Sequence, residues 1–306
     1  MKLYPKALLI AILLNATPGQ LAAQGLMQFM HHPLTARGWA IGGATTAWIE
    51  DGAGLLANPA ILPRLESSWQ VNYSSFMLDI YSTSIYSNFQ LGNKGDLAAA
   101  VQYLDYGSFT ERDADGNAFG NFSVHDLQGH LVYAYPLTPK TSLGASLSFF
   151  QSELQAYGAE GLFMSFGALY YHPGSTLAVG ISAQNLGLYF DSYASADEMP
   201  PTTLRIGIAK HLEYLPLTIS LDTYQAYHRK YVVRLGGEFH IGDHLFLRFG
   251  SSSKRFHIRG QRTFRNFLAG SSTGIGFTVR RFQADLALVG LGDAGTISSF
   301  SLSQHF

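Results

Sequence analysis

From Trp69 onward the chain repeats one local pattern: apolar and polar residues alternate with a period of two. It is clearest where Leu143, Ala145, Leu147 and Phe149 oppose Ser142, Gly144, Ser146 and Ser148. Successive side chains of an extended strand point to opposite faces, so this rhythm specifies strands with one apolar face and one small, polar or charged face. It predicts fourteen strands, at 68–79, 81–91, 96–106, 123–135, 141–153, 157–171, 176–190, 202–211, 216–226, 230–241, 244–251, 272–280, 283–290 and 296–306. Many are longer than the usual five or six residues. A tilted strand crossing a bilayer needs about 9–11.

Two all-β architectures accept such strands. In a soluble sandwich the apolar faces interlock between two sheets. In a membrane barrel they meet lipid, and Arg205, Asp222, Arg234, Glu238, Arg248 and Asp285 point inward. Connection lengths favour the barrel. Tight links follow the even strands, at 92–95, 136–140, 172–174, 211–215, 242–243 and 281–282, whereas the long ones, 107–122, 191–201 and 252–271, follow odd strands. Short turns on one rim and long loops on the other mark outer-membrane barrels. An even strand number places both ends of the barrel on the short-turn side. Residues 255–260 could add a short extra strand. The last strand sets Phe300, Leu302 and Phe306 on one face, resembling the terminal aromatic signal of outer-membrane barrels.

Charged residues are 13% of the chain, well below the roughly 25% of soluble domains. The net charge of −1 gives no general attraction to nucleic acid. Cysteine is absent, which excludes disulfides, thiolate metal sites and a Cys nucleophile. Residues 1–23 read as a secretory leader, with Lys2 and Lys6 before the apolar run 7–14 and small residues before Gln24. No later apolar run reaches the 18 residues of a membrane helix. The expectation is therefore an exported, transmembrane antiparallel β-barrel of about fourteen strands over 67–306, preceded by a plug or hatch over 24–66.

The hatch is centred on 37–60, where the alternation stops. This stretch is rich in Gly and Ala, carries Trp39 and Trp48, and ends Ala57-Asn58-Pro59-Ala60. Gly42 and Gly43 permit tight backbone packing. Asn58-Pro59 signals a turn or a helix start.

Motifs for chemistry are weak. Residues 290–295 fit GxGxxG, but a strand follows where a phosphate-binding loop needs a helix. Asp113, Asp115 and Asn117 resemble the start of a calcium loop, yet Ala118 and Val124 stand where Gly and Glu belong. His31 and His32 lack a third metal ligand at a readable spacing. HExxH and GxSxG are absent. Neither an enzyme nor a cofactor is expected. Lys254, Arg255, Arg259, Arg262 and Arg265 concentrate charge in one long connection, either as a solvated loop or as a contact for lipopolysaccharide phosphates or an acidic partner.

Ala40-Ile41-Gly42-Gly43-Ala44, Asp51 and Ala57-Asn58-Pro59-Ala60 resemble the N-terminal segment of the FadL-like and PorV/PorQ outer-membrane proteins. The segment 102–110, then Asp115-Gly116-Asn117, Phe119-Gly120 and Gln184-Asn185-Leu186-Gly187, is similar to the PorQ branch, which belongs to the type IX secretion system. The resemblance covers most of the mature chain. It implies a fourteen-stranded barrel with an N-terminal hatch and no catalytic residue. The implied role is to anchor a PorZ-like surface protein in an attachment complex with a PorU-like sortase and a PorV-like barrel, for cargo maturation and attachment to lipopolysaccharide. The alternative is a FadL-like channel for hydrophobic small molecules. Polar inward faces argue mildly against the channel. A soluble β-protein is disfavoured by strand length and loop parity.

Overall fold

The computed structural model describes residues 32–113, 115–155, 157–191, 200–225, 231–257 and 263–306. Fourteen antiparallel strands close into one barrel. They are β1 (Ser68–Ser75), β2 (Tyr81–Gln90), β3 (Asp96–Arg112), β4 (Ala118–Thr138), β5 (Thr141–Leu154), β6 (Tyr157–His172) and β7 (Leu177–Asp191). The second half comprises β8 (Thr203–His211), β9 (Leu217–Gln225), β10 (Tyr231–Ile241), β11 (Leu245–Ser252), β12 (Ser271–Val279), β13 (Phe282–Gly290) and β14 (Thr296–His305). Every strand pairs with its sequence neighbours, and β14 returns to β1 through a register running from Ser68↔His305 to Ser75↔Ser298. Closure leaves no full-length open edge.

The two faces are inverted relative to a soluble protein. Leu143, Ile181, Ile206, Leu235, Leu286 and Phe300 face outward and are exposed, whereas Arg205, Asp222, Glu238, Arg248 and Asp285 are buried inside. An outer band this apolar fits hydrocarbon surroundings. Outward aromatics mark its margins, with Tyr133, Phe282 and Phe306 toward the short-turn rim and Tyr73 and Tyr231 toward the other, the loop rim.

Strand lengths are uneven. β8 to β14 have 8–11 residues, about one bilayer crossing. β3 to β7 have 14–21 and rise past their neighbours as a tall wall. The expected long loop at 107–122 is therefore corrected: most of it is strand, paired from Ser108↔Ser123 to Arg112↔Ala118. A register shift between Asp105 and Ser108, with Gly107 at φ +88°, interrupts the alternation and hid the continuation. β1 ends at Ser75 instead of residue 79, because Phe76 N donates to Ile80 O at 2.8 Å and Leu78 and Asp79 turn the chain at positive φ. Within 255–260, the residues to His257 belong to a 3-10 helix (Ser253–His257), and 258–260 lie outside the described residues.

A fourteen-stranded barrel is too wide to fill with its own side chains. Barrels of about eight strands are so filled, and those of 16–18 hold a water channel. Here the N-terminal segment occupies the bore. It starts near the loop rim, where His32 packs on Trp39 and Phe76 at 5.2 and 5.5 Å, and reaches the short-turn rim before β1. The leader, 1–23, lies outside the described residues.

Candidate functional site

The site is the seam between this inner segment and the wall. Three short caps shape the segment. Thr35 Oγ1 accepts from Gly38 N at 3.0 Å and starts the helix α1 (Ala36–Ala40). Asp51 Oδ1 accepts from Ala53 N at 3.0 Å. Asn58 Oδ1 accepts from Ala60 N at 3.1 Å, and Pro59 occupies the first position of the 3-10 helix Pro59–Arg64. Gly42 and Gly43 follow α1 at φ +67° and +72°. A Cβ on Gly42 would stand 2.9 Å from Ser251 N, and one on Gly43 2.6 Å from Arg234 Nη1. Both conformation and clearance require glycine there.

Asn58 is wholly buried and does more than cap. Its Nδ2 donates to Thr46 O at 2.9 Å within the segment and to Ala168 O at 3.2 Å on β6. Asn58→Ala strands the buried Thr46 carbonyl and breaks the tie to β6, at a cost of about 1–3 kcal/mol. Limited proteolysis should cut 37–60 faster in that variant, while strand content by circular dichroism stays the same. Equal cleavage rates would remove Asn58 from the seam.

The segment has little regular structure, so its backbone groups need partners elsewhere. The wall supplies them. Ser142, Ser182 and Ser220 hydroxyls donate to the carbonyls of Ala60, Ala57 and Ala44, each at 2.6 Å. Ser272 Oγ donates to Ala40 O at 2.8 Å, and Arg234 Nη1 to Gly43 O at 3.1 Å. Gln184 donates to Leu56 O. In the other direction, Ala36 N donates to Ser301 Oγ at 2.7 Å, and Thr46 N and Oγ1 donate to Asp222 Oδ2 at 2.8 and 2.6 Å.

Between these groups the wall is lined by glycine. Gly144↔Gly167, Gly180↔Gly207 and Gly236↔Gly250 are cross-strand partners. Each faces inner-segment atoms: Pro59 and Asn58 for the first pair, Thr46 for the second, Ile41 and Gly42 for the third. The belt lets one backbone lie directly on another.

A buried ionic chain fastens one side. Arg37 Nε lies 3.0 Å from Glu238 Oε2 on β10, and Arg37 Nη1 lies 3.5 Å from Asp51 within the segment. Glu238 also binds Arg248 Nε, and Arg248 Nη1 reaches Asp285 Oδ1 at 2.6 Å. Low polarity makes each pair strong, and makes any unpaired member costly.

Below the inner segment, at the short-turn rim, a polar cavity of about 180 Å³ is lined by Glu50, Asp51, Arg64, Glu66, Tyr86 and His305. Beyond the other rim, the inner face of the tall wall buries Phe150, Ala159 and Phe163, with Tyr189 edge-on to Phe163 at 5.1 Å.

Gly42, Gly43, Asn58 and Pro59 thus meet at the seam. The basic residues do not join it. Arg255 is held within its own connection, where Nη2 donates to Phe267 O at 2.9 Å and the guanidinium lies 5.8 Å from the Phe267 ring. Lys254 and Arg265 are exposed, and Arg259 and Arg262 lie outside the described residues. Asp113 accepts from Asp115 N, Asn117 N and Asn117 Nδ2, so the calcium-like motif is a closed turn. The Asn117 side chain and backbone hold the Asp113 carboxyl below its ordinary value. Residues 292–294 form a short 3-10 turn between β13 and β14, as a hairpin requires. His31 lies outside the described residues.

Arg37 and the glycine belt were not singled out from sequence. A signal for the belt existed: its glycines occupy polar-face positions of successive strands.

No family model and no curated protein sequence matches the chain. Several solved structures share its fold. The Pseudomonas putida toluene transporter TodX aligns with TM-score 0.62 and 14% identity over 89% of this chain and 96% of that one. The Ralstonia pickettii toluene transporter TbuX gives 0.57 and 13% over 91% and 100%. A Pseudomonas aeruginosa FadL homologue gives 0.59 and 9% over 90% and 99%. The first two are toluene transporters, and at such identities the likeness is one of fold.

Proposed function

We propose that the chain resides in the bacterial outer membrane as a hatch-plugged channel, passing a small, largely hydrophobic molecule without altering it chemically. The observation that carries this reading is the plug itself: a bore wide enough for a channel, closed by a segment held only through noncovalent contacts. The shared fold with toluene transporters and a FadL homologue supports it. Inward charge is a weak objection to such cargo, because Arg234, Glu238 and Asp222 are engaged with the hatch. In a strain lacking the gene, early uptake of labelled toluene or labelled long-chain fatty acid should fall several-fold and recover on complementation. Unchanged uptake of both would end this reading.

A second reading keeps the anchoring role. The tall wall carries exposed Phe109, Phe119 and Phe190 beyond the neighbouring strands, a surface that a PorZ-like protein could cover. The segment 102–110 runs up this wall on β3. In such an assembly the connection with Lys254, Arg255 and Arg265 would face lipopolysaccharide phosphates, beside PorU-like and PorV-like partners. The tagged chain should then co-purify with the PorZ-like protein, and deletion should release that protein from the cell surface. Retention at the surface would dismiss it.

A further inference from the structure

The inner wall just above the hatch holds a buried arginine whose Nε has no acceptor. Arg205 on β8 is 3% exposed, and its Nε has no hydrogen-bond partner. The guanidinium carries five N–H donors, and the one on Nε is enclosed without an acceptor. It lies over the Tyr224 ring, with Cζ 4.7 Å from the centroid. Arg234 packs on the same ring, also at 4.7 Å, and its Nη2 donates to Tyr224 OH at 3.2 Å. The neighbouring carboxylate, Asp222, turns Oδ2 to Thr46, and its Oδ1 has no hydrogen-bond partner.

A buried cation left without polar partners is unfavourable by several kcal/mol. Water or an anion must supply the missing acceptors. Two cations, Arg205 and Arg234, flank Tyr224 beside one carboxylate, Asp222, which leaves a local excess of one positive charge. A planar guanidinium fork suits an oxyanion that accepts two parallel hydrogen bonds.

We propose that Arg205 and Arg234, stacked about Tyr224 above the hatch, form an oxyanion site that takes a dianionic phosphate or sulfate group. The group enters from the loop rim, either as a free anion or as the head of an amphipathic molecule. The site adjoins the hatch, because Arg234 also holds Gly43 O and Asp222 holds Thr46. It depends on the barrel and hatch geometry and not on which cargo is carried.

The test is calorimetric titration of the detergent-purified full chain with inorganic phosphate, dodecyl phosphate and lipid A at low ionic strength. Saturable binding of inorganic phosphate or dodecyl phosphate is expected. Arg205→Gln should weaken it at least tenfold, Arg205→Lys less, and Arg265→Gln on the exposed connection not at all. Heat-dependent gel mobility verifies that each variant is a folded barrel. Equal binding of the two phosphates identifies a free oxyanion, and a strong preference for dodecyl phosphate identifies an amphipathic head group. No saturable binding of either by the wild type overturns the proposal and leaves water as the occupant. So does binding that a folded Arg205→Gln variant retains, or binding of lipid A alone. Uptake assays play no part, so failure of the channel reading and failure of this site are separable.

Discussion

Glu238→Ala is expected to unfasten the hatch while leaving the fourteen-stranded wall closed. Glu238 is fully buried between Arg37 of the hatch and Arg248 of β11. Its removal strands two guanidinium groups in a place water reaches poorly. Breaking a buried pair from one side costs about 3–5 kcal/mol. The loss is not shared equally. Arg248 keeps Asp285 at 2.6 Å, a wall-to-wall pair. Arg37 keeps only Asp51 at 3.5 Å, and Asp51 belongs to the hatch. Among the described residues, Arg37–Glu238 is the one ion pair joining 37–60 to the wall. The destabilisation therefore falls on the seam. In planar bilayers the variant should open frequently, and 37–60 should become protease-sensitive. Glu238→Gln retains an acceptor without the charge and should be intermediate. Conductance and cleavage matching the wild type would show that this pair does not hold the hatch.

Gly180→Leu should act more bluntly, by removing the space the hatch occupies. A Cβ at Gly180 would overlap Thr46 O and lie 2.8 Å from Asn58 Nδ2. No rotamer relieves a clash made by Cβ itself. The wall cannot retreat, because Gly180 is paired with Leu169 on one side and Gly207 on the other. Overpacking costs typically 1–3 kcal/mol. Here it also disrupts the Thr46–Asn58 bond, a further loss of about 1 kcal/mol. The hatch is the softer partner and should leave its seat. The expected result is a persistently conducting barrel of normal heat stability. Gly129→Leu is the control, since a Cβ there meets nothing within 4 Å. A Gly180→Leu barrel as closed as the wild type would mean that the belt does not position the hatch.

The barrel was legible because its cause is local. Leu143 to Phe149 carries the alternation that decides which face meets lipid, and the tight turn with Gly242 and Asp243 fixes where the next strand begins. The misreadings lie where local signals were interrupted. Gly107 and the Asp105–Ser108 register shift concealed the upper parts of β3 and β4, which only cross-strand pairing restores. The use of the polar lumen is hidden from the sequence for a different reason. Arg234, Glu238 and Asp222 face inward as their strand positions imply, but their use depends on a segment far away in sequence, 176 residues for Asp222 and 191 for Arg234. A residue pattern shows which way a side chain points, not what stands opposite.

The hatch illustrates the same division. Its lack of alternation, its Gly42-Gly43 pair and its Asn58-Pro59 cap are sequence properties, and they suffice to mark 37–60 as something other than a strand. Fourteen alternating segments likewise determine a closed sheet, because one apolar face and one polar face on every strand leave few other ways to satisfy both. What only the tertiary structure decided is the seam: serine hydroxyls meeting hatch carbonyls, glycines clearing its backbone, Glu238 meeting Arg37, and Arg205 set over the Tyr224 ring with its Nε enclosed. These contacts join residues far apart in the chain. Their energies depend on burial and on angstrom-scale distances, which exist only once the barrel has closed around the segment.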